Sequence, residues 1–181
     1  MQHDNEHQKQ QPVKLPGVIV VIPAYNEELA IGSVVLKVCR IVDRIIVVDD
    51  GSQDNTADVA RLAGAEVIRI DENQGKAHAL LLGLKRAREF GCRVAVTFDG
   101  DGQHKTSTIP FVAQPVLSGK ADLVISLRFP GMNLPNYFAK KRAKHFFLNQ
   151  TKNIELILIV RWLGYCLVNF QVSDKGGVIL L

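Results

Sequence analysis

The chain has 181 residues, 47% of them hydrophobic and 22% charged, a balance that suits one globular domain with a sizeable core. Its formal net charge of +4 is too mild to point to nucleic acid and favours anionic partners only where basic residues cluster. Three cysteines, Cys39, Cys92 and Cys166, stand far apart with no C-x-x-C pair. That spacing argues against a zinc site or a disulfide framework and reads as buried free thiols in a reducing compartment.

Residues 1–16 are polar and carry no apolar h-region, so a disordered tail without a secretory signal is expected there. GVIVVIP (17–23) is a continuous β-branched run, the pattern of a strand buried on both faces. EELAIGSVVLKVCRI (27–41) carries apolar residues at helical spacing behind two acids suited to a helix N-terminus, with Asn26 as the expected cap. RIIVVDD (44–50) is a second buried strand. DNTADVARLAG (54–64) opens on cap candidates Asp54 and Asn55 and stops on Gly64. AEVIRI (65–70) is a third strand, and GKAHALLLGLKRAREFG (75–91) a helix stopped by Gly91.

CRVAVTFD (92–99) and ADLVIS (121–126) are the fourth and fifth strands, with helix-like TIPFVAQPVLSG between them. Pro110 fits an early helical turn, whereas Pro115 should break or kink the rest of that helix. This alternation predicts an α/β domain with a mostly parallel, Rossmann-like sheet and helices on both faces. In such sheets ligands bind beyond the carboxyl ends of the strands. The polar clusters fall there: PAYNEE after the first strand, DDGSQD after the second, DENQGK after the third and DGDGQH after the fourth.

After Arg128 the alternation degrades. A basic cluster of Lys140, Lys141, Arg142, Lys144 and His145 precedes the apolar stretch Ile154 to Phe170. Glu155 and Arg161 interrupt that stretch, which falls short of the roughly 20 clean residues of a spanning helix. It reads as core or as membrane-facing surface.

Two apparent phosphate-binding motifs fail on inspection. NQGKAHA has Ile70 where a P-loop needs its first glycine and Ala77 where it needs Ser or Thr; GDGQHK has Lys105 in place of the third glycine of a dinucleotide fingerprint. His78 and His104 lack a third ligand at zinc spacing. Asp99 and Asp101 are different, because alternate residues of an extended segment project to one side and can share a hard cation. Asp49 and Asp50 fit a capped strand-to-helix turn, with Asp50 or Ser52 serving the helix that starts at 54. They fit equally well a carboxylate that accepts hydrogen bonds from a base or ribose. Tyr25 is suited to stack on a base.

Taken together, VVIPAYNEE, VVDDGSQDNTADVA, ENQGKAHALLLGLKRA, TFDGDGQH and ADLVISLRF resemble glycosyltransferase family 2, and within it the dolichyl-phosphate mannose synthase and polyprenyl-phosphate glycosyltransferase group. The five motifs keep the family's order over residues 17–131. The resemblance implies a GT-A fold, a nucleoside-diphosphate sugar donor (GDP-mannose or a UDP-sugar) and Mg²⁺ or Mn²⁺. It implies donor contacts from Pro23, Tyr25, Asn26 and Glu27, base recognition by Asp49 with Asp50 beside it, and Lys76 near the donor. Asp99, Asp101 and Gln103 match its metal segment, and Arg128 its arginine near the phosphates. The cation bound at Asp101 and Asp99, together with Lys76 and Arg128, would then stabilise the diphosphate leaving group.

The implied reaction is metal-dependent, inverting transfer of a sugar to a polyprenyl or dolichyl phosphate, in the cytoplasm or peripherally on the cytoplasmic face of a membrane. Leu127 and Lys105 depart from the family pattern. NFQVSDKGGVILL begins like the family's acceptor-side segment, with Asp174 matching its start, and then stops. Residues 132–181 are therefore expected to form a shortened acceptor-side segment. A binding module that keeps the donor pocket without the acceptor side is the alternative.

Overall fold

The computed structural model describes residues 14–127, 136–140, 146–147, 157–161, 170–172 and 178–180. Strand β1 (Val18–Ala24) is buried along its whole length, which explains its unbroken apolar sequence. Val18, Val20 and Ile22 enter one core, while Ile19 and Val21 enter a second core on the opposite face. β2 (Arg44–Asp50) and β4 (Val94–Thr97) follow the same logic, whereas β3 (Glu66–Ile70), at the edge of the sheet, buries only Ile70 fully.

Helices cover both faces, as the alternation requires. Ile31, Val34, Val35 and Val38 of α1 (Glu28–Val38) share the first core with Ala60 of α2 (Thr56–Leu62) and with Ile109, Val112 and Val116 of α4 (Thr108–Leu117). On the other face, α3 (Lys76–Glu89) contributes Ala79, Leu84 and Ala87 to the second core. The predicted stops of α2 and α3 hold: Gly64 and Gly91 have φ of +99° and +67° and turn the chain back into the next strand. In each case the residue after the glycine donates its N–H to a carbonyl one turn back, Ala65 to Ala60 and Cys92 to Ala87.

Four expectations need correction. α4 runs through Pro115 and ends only at Leu117. Pro115 lies in the last turn and forfeits one ladder bond, to the carbonyl of Phe111, on a face where Phe111 is 68% exposed. The tail boundary at 16 is late, because the Leu15 N–H already donates to the Ile41 carbonyl and Leu15 packs against the first core. Cys92 is buried but Cys39 is only partly so; both are free thiols, and Cys166 lies outside the described residues.

The fourth concerns the sheet. β5 (Leu123–Leu127) does not pair with β4. The seven-stranded order is β3-β2-β1-β4-β8-β5-β6, where β6 is Asn136–Lys140 and β8 is Ile157–Arg161. β8 is antiparallel to both β4 and β5, so β1 to β5 still point one way. The apolar stretch from Ile154 thus supplies a strand to the middle of the sheet. Three short strands, β7 (Phe146–Phe147), β9 (Phe170–Val172) and β10 (Val178–Leu180), make a separate antiparallel sheet in the order β7-β10-β9. Among the described residues no helix is long and apolar enough to cross a membrane.

Candidate functional site

The chain leaves β1 toward β2 and β3 on one side and returns to β4 on the other, so the strand order reverses at β1. A crevice at the carboxyl ends of strands at such a reversal is the usual ligand position in an α/β sheet. Ala24 pairs with Asp49 across β1 and β2, and the Phe98 N–H just past β4 donates to the Val21 carbonyl. The first, second and fourth polar clusters therefore meet at one edge.

Two loops at that edge hold each other. Asn26, at φ +55°, donates its N–H to Ser52 Oγ (2.9 Å), and its own Oδ1 accepts the Gln53 N–H (2.9 Å). The Glu27 N–H donates to Thr56 Oγ1 (2.7 Å) and the Glu28 N–H to Asp54 Oδ2 (3.1 Å). In return, Glu28 Oε2 accepts the Asn55 N–H (3.0 Å) and Nδ2 (3.1 Å). Each helix thus caps the other. Asn26 does not cap α1 as expected, because its side chain is spent on the β2–α2 loop. The left-handed backbone at Asn26 is a conformation that asparagine tolerates better than most residues, and two cross-loop bonds secure it.

The paired aspartates at the end of β2 have separate tasks, and neither Asp50 nor Ser52 serves α2. Asp50 is buried, and its oxygens accept the N–H groups of Gln74 (2.9 Å) and Gly75 (2.7 Å), fixing the turn into α3. With both oxygens so engaged, Asp50 positions the loop before Lys76. Asp49 is 0% exposed; its Oδ1 accepts the Ser52 N–H (3.1 Å). Its Oδ2 is buried with no hydrogen bond, 3.6 Å from Arg69 Nε. A buried carboxylate oxygen held only by a distant guanidinium retains capacity for a donor. Arg69 also donates to the Ser52 carbonyl (3.0 Å).

Lys76 opens α3 and reaches over the crevice, where Nζ meets Asp99 Oδ1 at 2.5 Å. His104 Nε2 donates to Asp99 Oδ2 at 2.9 Å, and its ring lies 5.4 Å from that of Phe98. Burial pushes the Asp99 carboxyl up, but the His104 hydrogen bond and the Lys76 charge outweigh it and hold the group below its ordinary value. Glu27 goes the other way: burial first, then the carboxylates of Asp101, Asp54 and Asp99, raise it. Glu27, Asp99 and Asp101 consequently share one electrostatic field. Asp101 and Gln103 are exposed, and Asp101 Oδ1 accepts the Gln103 N–H (2.9 Å).

Pro23 is buried within β1, and Tyr25 stands 44% exposed at the rim. Arg128, Asp174 and Lys141 to His145 lie outside the described residues. The sequence does not single out His104 as the second partner of Asp99, because a turn contact five residues away follows no helix or strand period. Arg69 is missed as well, since nothing in its strand pattern marks it.

Among the described residues no three His, Cys, Asp or Glu side chains converge to hold a metal by themselves. The donor set nonetheless fits a hard divalent cation. The candidate ligands are carboxylate oxygens, which after burial raise the Glu27 pKa, and an ammonium already sits against Asp99. Mg²⁺ commonly takes one or two carboxylates and completes its shell with phosphate oxygens and water.

A family model described as glycosyl transferase family 2 matches residues 19–177. The chain is 34% identical over 171 residues to a UDP-N-acetylglucosamine–dolichyl-phosphate N-acetylglucosaminyltransferase of Methanococcus voltae, covering 84% of this chain and 62% of that protein. It is 35% identical over 131 residues to an undecaprenyl-phosphate mannosyltransferase of Micrococcus luteus, covering 66% and 52%. The chain thus spans little more than half the length of these relatives. Among solved structures, glucosyl-3-phosphoglycerate synthase from Mycobacterium tuberculosis, in complex with Mn²⁺, UDP-glucose and phosphoglyceric acid, superposes with a TM-score of 0.50 at 32% identity. The overlap covers 59% of this chain and 41% of that one.

Proposed function

This chain belongs to glycosyl transferase family 2 and has a GT-A fold, and on that footing we propose that it is the donor-binding part of a metal-dependent, inverting glycosyltransferase. The donor is a nucleoside-diphosphate sugar, GDP-mannose or a UDP-sugar, and the acceptor a polyprenyl or dolichyl phosphate. The observation that carries this reading is the meeting of Lys76, Asp99, Asp101 and Glu27 at the strand-order reversal. The names of the relatives support the acceptor class.

In this reading Asp49 Oδ2, the buried oxygen without a hydrogen bond, receives an imino hydrogen of the base, and Tyr25 stacks on the ring. Pro23, Asn26 and Glu27 shape the donor side of the crevice. Asp99 and Asp101, with Gln103 beside them, would hold a divalent cation, which when bound would neutralise charge on the leaving diphosphate. Lys76 and Arg128 add fixed positive charge to the same group. The acceptor phosphate oxygen forms the new bond at the anomeric carbon as the bond to the diphosphate breaks and its electron pair leaves with the diphosphate. That oxygen is already ionised near neutral pH, so no general base is required, and a single displacement inverts the centre. The basic cluster at 140–145 would hold the protein on the cytoplasmic face of an anionic membrane, at about 1 kcal/mol per Lys or Arg.

The test combines purified protein, Mg²⁺ or Mn²⁺, labelled GDP-mannose or UDP-sugar, and a short polyprenyl phosphate. Metal-dependent transfer with inverted anomeric configuration is expected. Metal-dependent donor binding without transfer would reduce the chain to a nucleotide-sugar-binding module, and no donor binding would overturn both readings.

A further inference from the structure

We propose that Lys76 is the resident counterion of the metal position: its ammonium occupies Asp99 in the donor-free protein and moves to the diphosphate when cation and donor arrive together. This rests on the donor-binding reading and adds a sequence of events to it. Three observations carry it. Lys76 Nζ lies against Asp99 Oδ1 at 2.5 Å, a direct ion pair with no room for water between the two groups. The other oxygen, Oδ2, is held separately by His104, whose side chain is only 7% exposed. Asp99 can therefore release Lys76 without losing its orientation. Lys76 itself is 60% exposed on a flexible four-carbon stem, so its head can swing while Asp50 keeps its backbone fixed through Gln74 and Gly75.

Two cations cannot both sit against Oδ1 at full strength, so metal and Lys76 compete for it. Without donor, the lysine head keeps its bond to Asp99 and resists the metal. With donor, the diphosphate offers it a better partner and metal and nucleotide bind cooperatively, because each removes the obstacle to the other. A lysine acting only as a donor ligand would leave metal-alone affinity untouched.

The experiment measures Mn²⁺ binding to the chain without nucleotide, by calorimetry or by the loss of free-Mn²⁺ paramagnetic signal, in wild type, Lys76→Met and Lys76→Arg. Lys76→Met should bind Mn²⁺ about thirty-fold more tightly, the effect of removing one unit charge about 4 Å from a divalent ion in a water-like dielectric. Its affinity for UDP in saturating Mn²⁺ should fall, and Lys76→Arg should restore weak metal-alone binding. Circular dichroism and melting establish that each variant is folded. Equal or weaker Mn²⁺ binding by Lys76→Met, with UDP–Mn²⁺ binding by wild type intact, overturns the exchange and leaves the donor reading standing. Failure of wild type to bind either Mn²⁺ or UDP overturns both.

Discussion

Asp50 Oδ2 accepts the Gly75 N–H at 2.7 Å, and through this bond the end of β2 sets the position of the first residue of α3. Asp50→Ala would leave the Gln74 and Gly75 amides without their carboxylate. Gln74 is exposed, so water recovers part of the loss, and a stability decrease of about 1–3 kcal/mol is expected. The larger effect should be faster hydrogen exchange at those two amides and weaker UDP–Mn²⁺ binding, as Lys76 loses its fixed base. Unchanged exchange at both amides would remove Asp50 from this role.

Gly83 marks the closest approach of α3 to the sheet. A Cβ there would lie 2.3 Å from Val21 Cγ1 and 3.0 Å from Val48 Cγ2. Gly83→Ala should therefore destabilise the protein by about 1–3 kcal/mol in urea unfolding, despite the better helix propensity of alanine. Adding Val21→Ala, which removes the nearest methyl, should cost less in the Gly83→Ala background than in wild type. Strict additivity of the two changes would contradict the close approach.

Glu27 links pH to stability. Burial and the carboxylates of Asp101, Asp54 and Asp99 raise its folded pKa above the unfolded value. A carboxyl raised on folding holds its proton more tightly in the native state, so stability is lost as pH rises through the folded value. At neutral pH the ionised group therefore works against the fold. Glu27→Gln should melt higher than wild type at pH 7, and the difference should vanish below the unfolded pKa of about 4.3. A variant that gains equally at pH 7 and pH 4 would place the effect elsewhere.

Asp101→Ala separates the fold from the metal. The side chain is exposed, so stability should change by no more than about 0.5 kcal/mol. UDP affinity in Mn²⁺ should fall about ten-fold or more, equivalent to about 1.4 kcal/mol, while affinity in EDTA stays at the wild-type value. Wild-type affinity in Mn²⁺ would remove Asp101 from the metal position.

The parts of this molecule that were legible in the sequence are those governed by local patterning. β1 and β2 declared themselves because both of their faces are buried, and Gly64 and Gly91 because a left-handed turn has few other occupants. What escaped depends on partners distant in sequence. Asn26 looks like a cap, yet its side chain goes to Gln53, while Asp54 and Thr56, at the start of α2, cap α1. Asp50 and Asp49 are adjacent and alike, and only the register of β2 against β3 and α3 gives one to the Gly75 amide and leaves the other beside Arg69. His104 obeys the same rule: five residues from Asp99 on a turn, its contact is not implied by any strand or helix period.

The placement of β8 between β4 and β5 has a consequence for how the chain matures. On the ribosome, β1 to β4 and their helices can pair as they emerge, because each crossover joins neighbours in order or nearly so. β4 and β5 then wait with open edges until Ile157–Arg161 is synthesised and threads between them. Unpaired strand edges are templates for association with other chains. The period between the emergence of Leu127 and that of Arg161 is therefore when a nascent copy is most exposed to mispairing. Slowing the final insertion would be felt as loss of soluble yield before any change in the site itself.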